Sequence, residues 1–389
     1  MKKDSFFTRL FSQYRGLPKE EKLLFLSAGS MMLPFPLTGA MLIFTVLWAL
    51  YHKEIRKEML KKKGRKVFFA FSVLILAVPL CYHWDLGVAA GLGVIAVLFF
   101  LLFARSVLSE RSYELSLTFC CLMSVIPFLV SIGQELINSI FVKDPNFRSD
   151  GGMLNPNYYG MMLEFAILIC VWKLVFEPKN GKLYMLLLGM NIAGLFLCDC
   201  RSAWAAVFVA VFLLLYISGH KSYGLYFFTF AALVLIAAST IPGLFPRISN
   251  IGPSFEIRMN VWTTALHGIA DHPLFGRGAM SYMLTYPEYN GFETYHAHSI
   301  LLDPILNFGL VGATLLAVYF GFIYRQLWSR WKARLALRKE FSLILAASAV
   351  TLIHGITDVT IFWIQTGMLF CLILSGVSLK KDRGMEIAA

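Results

Sequence analysis

The sequence is short of charge. Only 15% of its 389 residues are Asp, Glu, Lys or Arg, while 58% are hydrophobic and 34 are Phe. A soluble domain carries about 25% charged and 45–50% apolar residues, so this chain lacks the polar surface to cover several water-facing globules. That shortage excludes a soluble cytoplasmic enzyme and a disordered chain. Paired cysteines are missing too. The seven cysteines (Cys81, Cys120, Cys121, Cys170, Cys198, Cys200 and Cys371) lie in or beside apolar runs without zinc-type spacing, which excludes a small disulfide scaffold. Cys198 and Cys200 flank one residue and read as apolar packing rather than a disulfide. No repeat, low-complexity tract or soluble domain stands out, and no small-residue cleavage site follows the first apolar run, which is therefore read as retained.

Long apolar runs are what the sequence does contain. A membrane helix needs about 20 mostly apolar residues. Candidate runs fall at 36–51, 67–82, 86–104, 115–137, 158–176, 183–199, 203–218, 223–241, 299–324, 341–358 and 361–379, with a shorter run, 23–33, ahead of Pro34-Phe35-Pro36. The basic residues orient them. Although the net charge is +12, cytoplasmic loops collect Lys and Arg. Both the first 22 residues and the segment after Leu50, with eight basic groups between Lys53 and Lys66, therefore belong inside. The chain between them crosses an even number of times, as two spans hinged at Pro34 and Pro36 or as a re-entrant pair. The sequence thus predicts an all-α integral membrane protein of about 12 transmembrane helices in one polytopic domain, 1–389. Its cytoplasmic segments are 1–22 and 380–389, both termini lie inside, and one large extracytoplasmic loop spans 242–298. Of 35 basic residues this topology leaves six outside: Lys143, Arg148, Arg201, Arg247, Arg258 and Arg277.

Five of those six are arginine, whose planar fork grips phosphate. Arg201 lies between two apolar runs in Cys198-Asp199-Cys200-Arg201-Ser202-Ala203-Trp204, where an ionisable group is either an interfacial anchor or functional. Arg258 falls on an expected amphipathic helix, Glu256 to His272, with Ile257, Val261, Ala265 and Ile269 along one face and Pro273 as its stop. Arg277 sits between Gly276 and Gly278, in an exposed turn or an anion nest; Arg247 reads as a loop residue. His296 and His298 stand at the outer mouth of the run 299–324. No carboxylate or third histidine lies near them at ligand spacing, so neither metal nor cofactor is expected. A neutral histidine there suits proton abstraction from a hydroxyl instead. Asp303 is poorly placed to share a helical face with His298. His354 and Asp358, at i and i+4, share one as a structural pair or as support beside the site. Glu164 has no assigned partner.

These pieces together resemble the bacterial O-antigen ligase and polymerase superfamily. His298-Ser299, nine residues, Gly309, two residues and Gly312 fit the pattern H-[NSQ]-x9-G-x2-[GTY] associated with O-antigen ligases. Arg258-Met-Asn-Val-Trp262, Ala265 and Asp271-His272-Pro273-Leu274-Phe275-Gly276-Arg277-Gly278 resemble its periplasmic-loop signature, and Arg201-Ser202-Ala203-Trp204 its arginine turn. The likeness is close from about Asn155 to Ile361; the first half matches only in hydropathy. One departure is Arg258-x3-Trp262, where ligases often carry R-x3-L.

The resemblance implies an all-helical fold similar to the GT-C glycosyltransferases. It implies transfer of a glycan from undecaprenyl diphosphate to an acceptor hydroxyl on the outer face of the bacterial cytoplasmic membrane, without nucleotide sugar and, for ligases, without metal. The partners implied are the lipid-linked glycan donor, a lipid (such as lipid A core) or polysaccharide acceptor and membrane lipids, with no nucleic acid. By the same resemblance His298 is the catalytic base and Arg201 and Arg258 bind pyrophosphate, with Arg277 as a third. His296, His354 and Asp358 are support. The competing reading is a lipid-linked glycan flippase or transporter, which would carry ionisable groups at mid-membrane, often in repeated halves.

Overall fold

The computed structural model describes residues 5–241, 251–332 and 338–379, and within them regular structure is helical. The parts of the predicted loop at 242–250, with Arg247, and the tail 380–389 lie outside the described residues. The first half runs α1 (Phe6–Arg15), α2 (Lys19–Ser30), α3 (Phe35–Tyr51), α4 (Lys53–Leu60), α5 (Arg65–Cys81), α6 (Asp85–Val107), α7 (Glu110–Met123) and α8 (Val125–Ile137). The second half runs α9 (Pro156–Phe176), α10 (Gly181–Leu197), α11 (Arg201–Ile217), α12 (Lys221–Thr240), α13 (Ile251–Asp271), α14 (Tyr282–Thr285), α15 (Leu302–Lys332), α16 (Arg338–Gly355) and α17 (Ile364–Ser375).

Each apolar run falls on a helix, but not every helix is long enough to cross alone. Among the described residues, five helical segments have the length and composition to span: Asp85–Val107, Glu110–Val142, Pro156–Phe176, Pro178–Leu197 and Leu302–Lys332. The α3–α4 pair, bent by 92°, would add a sixth. α5 and α11 have only 17 residues, and α17 has 12. The break at Pro34-Phe35-Pro36 forms a helical hairpin: Ser27 Oγ lies 3.2 Å from Thr45 Oγ1, and Thr38 donates to the Ser30 carbonyl at 2.6 Å.

α9 is central. It is apolar on nearly all sides, as a helix enclosed by other helices must be, and it packs against α10, α11, α16 and α17. Glu164, one of two buried ionic residues on α9 with Lys173, lies 2.7 Å from His354 Nδ1 on α16, both of these side chains fully buried. All seven cysteines are free thiols, six of them buried.

The amphipathic segment expected at 256–272 is α13. Val261 and Ala265 are fully buried in a small core with Tyr282, Ala297 and Leu306, and Ile269 packs on its edge. Ile257, expected on the same face, is 39% exposed. α13 ends at Asp271, two residues before Pro273, and the strap 273–278 then crosses to α15.

That crossing explains the glycine of the histidine motif. Gly309 interrupts α15 with φ 62° and ψ −178°, a region open essentially to glycine alone. The break frees Leu310 and Val311 N–H to donate to the Pro273 and Leu274 carbonyls, at 2.8 and 3.0 Å, while Gly278 N–H donates to the Asn307 carbonyl at 2.8 Å. A Cβ on Gly309 would stand 2.2 Å from the Leu274 carbonyl. Gly309→Ala is therefore expected to lower the thermal midpoint, with a backbone cost of roughly 1–3 kcal/mol before the overlap is counted. Gly321→Ala, on the same helix where a Cβ meets nothing within 4 Å, is the control and should hold the midpoint or raise it slightly, since Ala favours a helix interior over Gly.

Candidate active site

The site is built around Asp358, in the non-helical link between α16 and α17. Its carboxylate lies 3.1 Å from His298 Nδ1, accepts the Val359 N–H at 2.8 Å, and accepts from Asn157 Nδ2, at the start of α9, at 2.6 Å. Asn157 in turn accepts from Arg148 Nη2 at 2.7 Å, and Arg148 Nε donates to the Cys198 carbonyl at 2.9 Å. His296 Nε2 stands 3.6 Å from the same Asp358 oxygen, with its ring edge-on to that of His298 at 4.3 Å.

His298 is held from every direction. Its φ of 46° is left-handed, a conformation uncommon for a non-glycine residue and concentrated at functional sites. Asp303 Oδ1 accepts the Ala297 N–H at 2.8 Å and Oδ2 accepts from Asn307 at 2.7 Å, which fixes the loop just before the histidine to α15. Trp262 Nε1 donates to the His298 carbonyl at 3.4 Å, so the tryptophan that departs from R-x3-L supports the histidine directly. With Nδ1–H donated to Asp358, Nε2 keeps its lone pair, and Thr294 Oγ1 lies 3.1 Å from it.

Two arginines reach the cluster's edge. Arg258 Nε donates to the carbonyl of Thr357, the neighbour of Asp358, at 3.0 Å, and Nη1 to Ser254 at 3.1 Å. Arg201 Nη2 meets Ser254 Oγ at 3.0 Å, so the two guanidinium groups converge one helical turn before Arg258. Arg277 is placed differently. It forms a two-pronged pair with Glu288 at 2.7 and 2.8 Å and reaches Thr285 at 3.1 Å. Of the two alternatives for this turn, the anion nest is not available, since Gly276 and Gly278 N–H both donate to backbone carbonyls. His354 faces Glu164 rather than Asp358, correcting the expected i, i+4 pairing. The cause is local: α16 ends at Gly355, so Asp358 no longer projects on the helical face that spacing implies.

Electrostatics follow from this packing. Burial alone would raise the Asp358 carboxyl, but the His298 hydrogen bond and the surrounding imidazoles hold it well below the usual carboxylate range. Burial pushes His296 down to about 4, against the pull of Asp358. A histidine with a depressed folded value contributes stability that is full above its unfolded value of 6.5 and is lost as pH falls toward 4. The thermal midpoint should drop across that window, and His296→Gln, which does not titrate, should flatten the drop; an unchanged slope would refute the assignment. His296, His298 and Asp358 also place one ligand atom each within 4.8 Å of one another, a spacing that can hold a metal ion. Sequence spacing did not show this carboxylate near the histidines; it comes from 60 residues further along the chain.

Residues 183–317 match the protein-family model described as O-antigen ligase. Over that stretch the chain is similar to this family, which supports the resemblance to the O-antigen ligase and polymerase superfamily, and the apolar helices described above have the length and composition to cross a membrane. Comparison with curated proteins finds no match. The matched stretch includes Arg201, Arg258, Thr294, His296, His298 and Gly309, whereas Arg148, Asn157 and Asp358 come from outside it. The latter three are the residues least visible in the sequence, since Arg148 and Asn157 carry only loop signals and the spacing of Asp358 points to His354.

Proposed function

We propose that the chain transfers a glycan from undecaprenyl diphosphate to an acceptor hydroxyl at the extracytoplasmic face of the bacterial cytoplasmic membrane, as a surface-polysaccharide ligase or polymerase. One observation carries the reading: a histidine oriented by a buried carboxylate, with an arginine bonded to the residue next to that carboxylate. Asp358 accepts the Nδ1–H of His298, so Nε2 takes the proton of the acceptor hydroxyl. The oxygen attacks the anomeric carbon, the bond from that carbon to the diphosphate breaks, and attack from the opposite side inverts the centre. Arg201 and Arg258 stabilise the charge that develops on the departing diphosphate. In this scheme Arg277 positions the strap, His296 and Asp358 support His298, and no metal takes part. The topology proposed with it is about 12 spans in a GT-C-like polytopic domain with both termini cytoplasmic, the shorter helices crossing as pairs or where the bilayer thins around them.

The test is transfer by purified protein from an undecaprenyl-diphosphate glycan to candidate acceptors. Wild type, retaining its rate in a metal chelator, is compared with His298→Ala, Arg201→Ala and Arg258→Ala. Wild-type transfer by all three variants would sink the mechanism. Labelling of single cysteines placed in 255–295 checks the side, and reaction from the cytoplasm alone would overturn the topology.

A further inference from the structure

A second basic site lies at the other end of the helices that carry the first. Trp84, which caps α6, donates to the Ala279 carbonyl beside the strap, at 2.9 Å. Arg105 is 21 residues further along, about 30 Å at 1.5 Å per residue. On α15, Arg325 lies 15 residues beyond Leu310, the first residue past the break at Gly309, about 22 Å by the same rise. The length along α6 matches a hydrocarbon core of about 30 Å. There Lys61, Lys62 and Lys63, between α4 and α5, meet Arg105, Arg325 and Arg330 around a cavity of about 780 Å³; among the described residues none that lines it is acidic, although Lys61 pairs with Glu58 at 2.5 Å.

Lysines and arginines in a loop predicted to be cytoplasmic ordinarily sit in water and set topology. Arg105 does not fit that account. It is 1% exposed, Nε donates to Ser378 at 3.3 Å and Nη2 to Gln326 at 3.0 Å, and Nη1 has no hydrogen-bond partner. The neutral Tyr319 hydroxyl is close enough to favour the charged guanidinium, but neither it nor Nη1 has a hydrogen bond of full geometry, and a phenol supplies no counter-charge. Arg330, beside it, spends its guanidinium on the Val377 and Leu379 carbonyls rather than on a carboxylate. A buried charge that lacks a counter-ion, lining a cavity ringed by further cations, calls for an anion.

We propose that this cavity binds a phosphate-bearing anion, with Arg105 at its floor and the three lysines and Arg325 at its rim. The phosphate is that of an anionic lipid headgroup or a free one, and basic pockets between membrane helices take both by the same charge-assisted hydrogen bonds.

Full-length protein in detergent, titrated with phosphatidylglycerol or phosphatidylcholine and followed by native mass spectrometry, tests the proposal. A parallel thermal scan compares inorganic phosphate with chloride at equal ionic strength. Selective retention of phosphatidylglycerol assigns the lipid source; selective stabilisation by phosphate assigns the soluble one. Either effect should weaken about ten-fold, the equivalent of one hydrogen bond to a charge, in Arg105→Gln and in the doubly substituted K63Q/R325Q. The double variant changes two exposed side chains and so stands if Arg105→Gln fails to fold. Lys182→Gln, an exposed lysine outside the cavity, should bind as wild type does. Equal retention of both lipids with no preference for phosphate overturns the proposal. So does wild-type binding by K63Q/R325Q, or an equal loss in Lys182→Gln.

Discussion

His298→Ala should reduce transfer by about 10²–10⁴-fold, the usual contribution of a positioned general base, with little change in donor KM. The reasoning is geometric. His298 Nδ1 is fixed on Asp358 at 3.1 Å, so the ring presents Nε2 and cannot turn without losing that bond. Asp358→Asn separates orientation from charge. The amide keeps the shape but can donate where the carboxylate only accepts, which favours the tautomer with the proton on Nε2, the wrong nitrogen for a base. Its loss should therefore fall mainly on kcat, and the thermal midpoint should move less than the rate. If Asp358→Asn transfers as wild type does, the carboxylate has only a structural part.

Arg258→Ala should cost about 10²–10³-fold in kcat, by analogy with removal of one donor from a charge-stabilising site. Arg258→Lys should recover only part of it, because an ammonium keeps the charge and loses the fork. The split matters because Arg258 also holds the Thr357 carbonyl at 3.0 Å. A purely structural role would move the thermal midpoint of Arg258→Ala and Arg258→Lys together with the rate. A diphosphate-binding role leaves Arg258→Lys folded and slow. Arg277→Gln is the contrast: its pair with half-exposed Glu288 is worth well under 1 kcal/mol once screened by solvent, and transfer should stay within about two-fold.

The site was legible in uneven portions. His298, Arg201 and Arg258 stand out because a chain with so little charge has few reasons to place histidine and arginine beside apolar runs, and the structure gathers them within two hydrogen bonds of Thr357, Asp358 or Ser254. Asp358 was visible but misdirected. Spacing of four pairs it with His354 only while the helix continues, and α16 stops at Gly355. His354 is left to Glu164, on a helix whose position beside α16 no local pattern encodes. Arg148 and Asn157 were passed over because turn composition marks a loop without saying what the loop packs against. Gly309 was recognised as part of a motif, but its reason, the strap 273–278 pressed against the break, needs contacts across more than 30 residues.

The same division applies to the shortage of charge. Composition and loop charges by themselves determined a helical membrane protein, its apolar runs and its expected orientation, because the partition of apolar and basic groups between lipid and water depends on local sequence. Tertiary structure decided which of the few charged groups meet. It sent Asp358 to His298 and Arg277 to Glu288, and it enclosed Arg105 among lysines at the far end of α6. Such pairings join residues tens to hundreds of positions apart, and the helix ends and close backbone approaches that fix them exist only once the helices have packed.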